Sequence, residues 1–156
     1  MQSIKGFNIQ GEDFFKVKEE VDELFYKHWE EIATNKDKIK LNPDWSFYEA
    51  LYTEGSLGVY TIRYFDKLVG YFVVIARNHP HYQDHVFASN DILFIDPNYR
   101  KGLAGYFLIK YVEKDLKKRG VSVLLINTKI HKPFDPLLKR LGFEKIERIY
   151  SKYLGE

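Results

Sequence analysis

Asp91-Ile-Leu-Phe-Ile-Asp-Pro-Asn-Tyr-Arg-Lys-Gly-Leu-Ala-Gly105 is the stretch that decides the fold of this chain. Ile92 to Ile95 reads as a buried strand, stopped by Asp96-Pro97. Asn98 to Lys101 forms a polar turn, and a helix opens at Leu103, Ala104 and Gly105. Its apolar positions, Leu108, Tyr111, Val112 and Leu116, recur at spacings of three and four until Gly120 stops it. A second strand, Val121 to Asn127, follows at once. A strand, a tight turn and a helix start together make an anion site. The first helical N–H groups lack intrahelical partners, and the helix dipole adds partial positive charge there. Arg100 and Lys101 bring full positive charge to the same place.

At 156 residues the chain is read as one domain, 1–156, large enough for a real core. Twelve Tyr, twelve Phe and two Trp supply that core generously. With no cysteine, disulfides, thiolate nucleophiles and cysteine-ligated zinc are excluded. Met1 to Gln10 lacks the apolar segment of a signal peptide, and no apolar run approaches membrane-spanning length. The expectation is a cytoplasmic protein with no membrane contact. The net charge of +2 is unevenly placed: residues 1–99 carry −6 and residues 100–156 carry +8. A polyanionic ligand on the basic side and a cationic partner on the acidic side would fit this split. Solvated helix faces would produce it equally.

Outward from the deciding stretch, Gly6 to Gln10 reads as a short first strand. Asp13 caps a helix running to about Asn35, with Phe14, Val17, Val21, Leu24, Phe25, His28 and Ile32 on one face. Ser46 is expected to cap a second helix that ends at Gly55. Leu57 to Tyr64 and Leu68 to Ala76 form a hairpin, and Asn78 to Asp84 a histidine-rich loop. A strand spans Val86 to Ile95, a short helix ends at Leu141-Gly142, and Phe143 to Tyr153 closes as one or two strands.

That order of elements, over nearly the whole chain, resembles the GNAT superfamily of acyl-CoA N-acyltransferases. Four motifs carry the resemblance in sequence order. They are Leu93-Phe94-Ile95-Asp96-Pro97, the pyrophosphate motif at Arg100, Leu103 and Gly105, Lys118-Arg119-Gly120, and Leu141-Gly142-Phe143. The fold it implies is a layered α/β domain: a mixed, mostly antiparallel central sheet with helices on both faces. Departures are specific. Leu103 stands where the motif has its first glycine, so Gly102 must supply any positive φ in the turn. His131 stands where an asparagine often contacts the cofactor, and Leu138 where a tyrosine often protonates the leaving thiolate.

The resemblance implies acetyl-CoA as acyl donor, held by Leu93, Phe94, Ile95, Arg100, Lys101, Gly102, Leu103, Ala104, Gly105, Tyr106 and His131. Backbone groups near Phe94 and Ile95 would meet the thioester and its developing oxyanion. N-acylation also needs a base for the amine. By strand alternation Ser89, Asp91, Leu93 and Ile95 share one face, which nominates Asp91 as base, against a reading as a salt-bridged edge residue. His28, on the apolar face of the first helix, is a second candidate or simply a satisfied core histidine. Tyr150 and Tyr153 are the expected acids. His79, His81 and His85 lie close together, but a loop containing Pro80 fixes no ligand geometry, and no metal is expected.

The expected activity is acetyl transfer to an amine, small-molecule or protein, by direct attack, with a homodimer compatible with it. The first rival is a CoA-binding or regulatory protein that kept the fold and lost the chemistry. A nucleic-acid-directed protein using the basic half is a weaker rival, because no interleaving of basic and aromatic residues supports it.

Overall fold

The computed structural model describes residues 1–100 and 102–156, so Lys101 of the expected anion turn lies outside the described residues. The elements are β1 (Gln2–Ile4), β2 (Phe7–Gly11), α1 (Phe14–Glu20), α2 (Asp22–Ile32), α3 (Trp45–Thr53), β3 (Leu57–Tyr64), β4 (Lys67–His79), β5 (Tyr82–Ile95), α4 (Ala104–Lys118), β6 (Val121–Leu125) and α5 (Asp135–Arg140). Six strands form one sheet in the order β1-β2-β3-β4-β5-β6. Neighbours are antiparallel from β1 to β5, and β6 joins β5 in parallel.

Each face of the sheet buries its own core. On one face Ala104, Leu108, Ile109, Val112 and Leu116 of α4 pack onto Ile62, Phe72, Val74 and Ala88, with Leu137 and Leu138 of α5 alongside. On the other, Phe14, Val17, Leu24 and Leu51 of α1–α3 cover Val59, Tyr71, Val73 and Phe94. The layered α/β architecture with helices on both faces is therefore as the sequence predicts. Among the described residues no helix is long and apolar enough to cross a membrane.

Several expectations are revised. The first strand is a hairpin, β1–β2, turned by Lys5 and Gly6 at φ 47° and 85°. The long first helix is two, parted at Val21, although Asp13 does cap its start, accepting from the N–H groups of Phe15 and Lys16 at 2.9 and 3.3 Å. Asp44 rather than Ser46 caps α3, accepting from the Phe47 N–H at 3.0 Å. The histidine-rich loop is instead the outer end of the β4–β5 hairpin, which pairs His79 with Tyr82. Its residues are polar because this end projects beyond the helices, so hydropathy alone reads it as loop. Phe143 to Tyr153 forms no strand, and the sheet ends at β6.

Candidate active site

β5 and β6 pair only from Val86 to Ser89 with Val121 to Leu125. Beyond Ser89 the strands part, and a side chain closes the fork. Asn90 Nδ2 donates to the Asn127 carbonyl at 3.3 Å, and Asn90 Oδ1 accepts from the Asn127 N–H at 2.6 Å. An amide side chain thus stands where the next ladder bonds would be. Asn90→Ala removes both bonds from a half-buried position. It is expected to lower Tm by about 2–4 °C, measured by thermal unfolding.

The same point carries a bulge. Ile92 pairs with Val73 and Asn90 pairs with Val74, so Asp91 has no partner on β4. Leu93 and Ile95 pack on the α4 face. Asp91 instead receives a hydrogen bond from the Tyr48 hydroxyl of α3 at 2.8 Å, on the opposite face. The alternation expected for Ser89, Asp91, Leu93 and Ile95 is therefore broken at Asp91, and the bulge re-aims its carboxylate toward α3. Solvent reaches the residue, yet neighbouring protein raises its pKa by desolvation, against the lowering effect of the Tyr48 hydrogen bond. A carboxyl group raised toward neutrality accepts a proton more readily than an ordinary one.

Next to it lies a buried polar pair. His28 Nδ1 and the Tyr71 hydroxyl are 2.8 Å apart, and both residues are buried. The His28 ring stacks on Phe94 at 4.7 Å between centroids. Burial lowers the His28 pKa to about 4, with Arg100 and Lys129 adding to the effect and Glu31 opposing it. His28 is thus a neutral core residue that orients Tyr71 and supports the end of β5. A small apolar cavity of about 30 Å³, lined in part by Trp45, Tyr48, Tyr71 and Ile92, lies beside this pair.

The turn between β5 and α4 has the local structure that its sequence suggests, with one exception among the described residues. Asp96 is buried and caps a single 3-10 turn, Pro97–Tyr99, accepting from the Asn98 N–H at 2.9 Å. Lys27 of α2 holds its other oxygen at 3.1 Å. Gly102 takes φ +71°, the left-handed conformation that Leu103 could not adopt cheaply. Leu103 is exposed, precedes α4 at φ −108°, and offers no side-chain cap. Among the described residues no side chain caps the first N–H groups of α4. At Gly105 a Cβ would stand 3.2 Å from a terminal methyl of Leu137 and 3.9 Å from Ile95, so a larger residue there needs Leu137 to shift. The exception is Arg100. Its guanidinium holds Glu31 of α2 through two bonds of 2.8 and 2.6 Å, while its Nε donates to the Ile95 carbonyl at 2.6 Å. It also lies over the Phe94 ring at 5.1 Å. Arg100 thus latches α2 to the end of β5 and does not contribute free charge to the helix mouth.

The remaining candidates are scattered. Tyr106 packs beneath Arg140 at 5.1 Å. His131 lies on an exposed turn closed by Lys129 and Lys132. Leu138 is packed against the α4-side core. Tyr150 is 86% exposed, and Tyr153 lies under Lys38 at 4.8 Å. Among the described residues, no hydrogen bond joins Tyr150 or Tyr153 to Asp91, Tyr48, His28 or Tyr71. His79 packs against Phe87 at 4.5 Å and lies 5.3 Å from His81, while His85 meets Ser122 at 3.0 Å, so the three histidines do not gather at one point. No group of three metal-binding side chains occurs among the described residues. Sequence reasoning missed Tyr71 and Asn90. A groove of about 530 Å³ is lined by residues including Glu12, Tyr60, Asp115 and Arg119, at the C-terminal end of α4. It lies away from the helix mouth and shares no residue with the cluster around Asp91.

The splayed strands, the bulged β5 and the open N-terminus of α4 define the fold of the GNAT acetyltransferases. Solved structures agree. A glucosamine-6-phosphate N-acetyltransferase from Arabidopsis thaliana superposes with a TM-score of 0.70 at 13% identity, covering 96% of this chain and 99% of its own. A predicted acetyltransferase with acetyl-CoA from Clostridium acetobutylicum gives 0.71 at 12% identity, covering 95% and 96%. A transcriptional regulator from Bacillus halodurans gives 0.74 at 13% identity, covering 95% and 99%. No family model matches the sequence, and no curated protein matches it.

Proposed function

We propose that this protein is an N-acyltransferase that moves an acetyl group from acetyl-CoA to an amine. The observation that carries the reading is the bulged Asp91 beside the fork, its pKa raised and its oxygen bonded to Tyr48. Structural relatives that include an acetyltransferase solved with acetyl-CoA support the donor. The residues present fit such a group: an uncapped helix mouth after a left-handed Gly102 suits a pyrophosphate, and strands parted beyond Ser89 leave room for an extended chain.

Bound acetyl-CoA would supply an electrophilic thioester. Asp91 takes a proton from the acceptor's ammonium, freeing the neutral amine to attack, or takes it from the amine as the C–N bond forms. The Tyr48 hydroxyl fixes which carboxylate oxygen does so. Phe94, stacked on His28 and Arg100, holds the end of β5 rigid. Leu138 offers no hydroxyl where the resemblance leads one to expect a tyrosine. A thiolate is an adequate leaving group near neutrality, since thiols ionise near pH 8.5. Tyr150, Tyr153 and His131 therefore remain proposals for the acid, each to be tested by replacement with Phe, Phe and Asn. The acidic N-terminal half favours a cationic acceptor.

Thiol release across an amine panel tests the reading. Release with any amine supports it. Acetyl-CoA binding without release favours the CoA-binding, regulatory alternative, to which the packed Leu138 and the likeness to a transcriptional regulator lend weight. A second test uses Leu103, which is exposed and precedes α4. Leu103→Asp places an acid where it caps a helix and repels phosphate. Thermal stability is expected to hold or rise while acetyl-CoA affinity, by calorimetry, falls roughly tenfold, equivalent to about 1.4 kcal/mol. Unchanged affinity would remove the helix mouth from the binding site.

A further inference from the structure

At the Leu57 end of β3, its neighbour β2 has already stopped. The last ladder pair is Gly11 with Tyr60, and beyond it the Glu12 N–H still bonds to the Val59 carbonyl at 3.0 Å. Backbone groups alternate in direction along a strand, so Leu57 faces the same side as Val59. The other side of β3 agrees, because the intervening Ser56 carbonyl accepts from the Ala76 N–H across β4. Leu57 is buried, yet among the described residues its N–H and C=O meet no backbone partner on the β2 side. Such groups call for a partner.

The groove of about 530 Å³ at the C-terminal end of α4 runs along this bare edge, with Leu57 in its lining. One wall is aromatic: Phe15, 46% exposed, meets Tyr52 edge to face at 5.8 Å between centroids. Glycines keep the space beside the edge open. Outside its chain neighbours, a Cβ at Gly11 would have only the Val59 carbonyl within 4 Å, at 3.8 Å, and one at Gly55 would have nothing. Three charged side chains line the groove, and two are engaged within the fold. Glu12 accepts from Arg63 at 2.7 and 2.8 Å, from Thr61 at 2.5 Å and from Gln10 at 2.9 Å. Asp115 accepts from the Tyr60 hydroxyl at 2.7 Å. Arg119 is held loosely, its Nη1 lying 3.4 Å from the Tyr60 hydroxyl and 4.0 Å from Asp115. A half-exposed guanidinium so placed has donors to offer a carboxylate.

We propose that this groove docks the carboxyl-terminal end of an extended peptide. The peptide backbone pairs with the N–H and C=O of Leu57, as β2 would if it ran on, and its terminal carboxylate reaches Arg119. An apolar side chain near the peptide's end lies against Phe15 and Tyr52. Pairing with both groups of Leu57 requires an amide on each side of the pairing residue, which is why the occupant is a peptide rather than a free amino acid. The chain's own carboxyl end is held elsewhere, with Tyr153 against Lys38 at 4.8 Å. This inference stands apart from the proposed chemistry, because the groove shares no residue with the cluster around Asp91.

The probes are N-acetyl-glycylglycyl-phenylalanine with a free carboxylate and its leucine and tyrosine counterparts. Each is titrated into the full chain without acetyl-CoA and followed by backbone amide NMR. At least one is expected to bind at millimolar concentration or below and to shift the Leu57 amide. Amidating the peptide's carboxylate and replacing Arg119→Gln should each weaken binding roughly tenfold. The two changes together should cost no more than either alone, since both remove one contact. Gly11 is exposed on β2 and has no positive φ, so Gly11→Trp fills the groove without backbone strain. That variant should keep the parental Tm and lose the peptide. Absence of binding by all three peptides overturns the proposal, as do equal affinity for the amidated peptide and binding that survives in a folded Gly11→Trp. L-phenylalanine binding as tightly as the peptides would make the ligand an amino acid and overturn it too. So would a two-chain mass by light scattering that Gly11→Trp abolishes, since the groove would then belong to a second copy.

Discussion

Asp91→Asn is expected to lower turnover by roughly a hundredfold or more at neutral pH while leaving acetyl-CoA affinity nearly unchanged. Asparagine keeps the shape and still accepts a hydrogen bond from Tyr48, so the bulge and its neighbours persist. What it lacks is the capacity to take a proton. On the proposed function, the parent protein should lose kcat/KM on the acid side of a pKa above the ordinary carboxylate value, because desolvation raises Asp91. That limb should flatten in the variant. Tyr48→Phe should keep the limb but move its midpoint. Removing a donor that stabilises the carboxylate raises the pKa further, and the acid limb shifts to higher pH. An Asp91→Asn enzyme with parental turnover and an unaltered pH profile would return the base to water.

The second large effect is on stability. His28 is buried with its pKa lowered to about 4, below its unfolded value near 6.5. Between those values the unfolded chain binds a proton that the folded chain refuses. The stabilisation is therefore complete above pH 6.5 and is lost as pH falls toward 4. The full shift corresponds to about 3 kcal/mol. Glu12, lowered to about 2, loses its own contribution only below the ordinary carboxylate range, so the two effects separate along the pH axis. In His28→Phe, denaturant unfolding from pH 6.5 to 4.5 should be flatter than in the parent by about 2 kcal/mol. A constant loss at all pH values is expected besides, from the Tyr71 hydroxyl left without its partner. Equal pH slopes in the two proteins would mean that His28 is charged in the fold.

The stretch from Asp91 to Gly105 was legible because its signals are local. Asp96 stops a strand by capping the turn after it, Gly102 alone can take the positive φ, and α4 repeats its apolar residues at helical spacing. The site was less legible because its geometry comes from distant partners. Arg100 and Glu31 lie far apart in sequence, and nothing near Arg100 foretells that its charge is spent on α2. Ser89, Asp91, Leu93 and Ile95 alternate faultlessly on paper, and the bulge exists only in the count against β4. Tyr71 reads as one more aromatic in an apolar strand until His28 meets it from α2. The arm after Gly142 reads as strand because its residues favour strands, but propensity cannot supply a neighbour to pair with.

The bulge in β5 has a consequence for what selection can touch. Ser89 and Ile92 pair with Ile75 and Val73 of the α1–α3 face, while Asn90 and Leu93 pair with Val74 and Phe72 of the α4 face. If Asp91 were deleted outright, these residues would alternate without interruption and every apolar side chain would keep its face. The sheet, in other words, has one residue more than its architecture requires, and that surplus residue is the candidate base. Shortening the chain there would yield a well-folded protein with a regular strand and no carboxylate at the fork. A single codon thus separates a regular strand from one that carries a carboxylate at the fork, and it can be lost or regained without rebuilding the core.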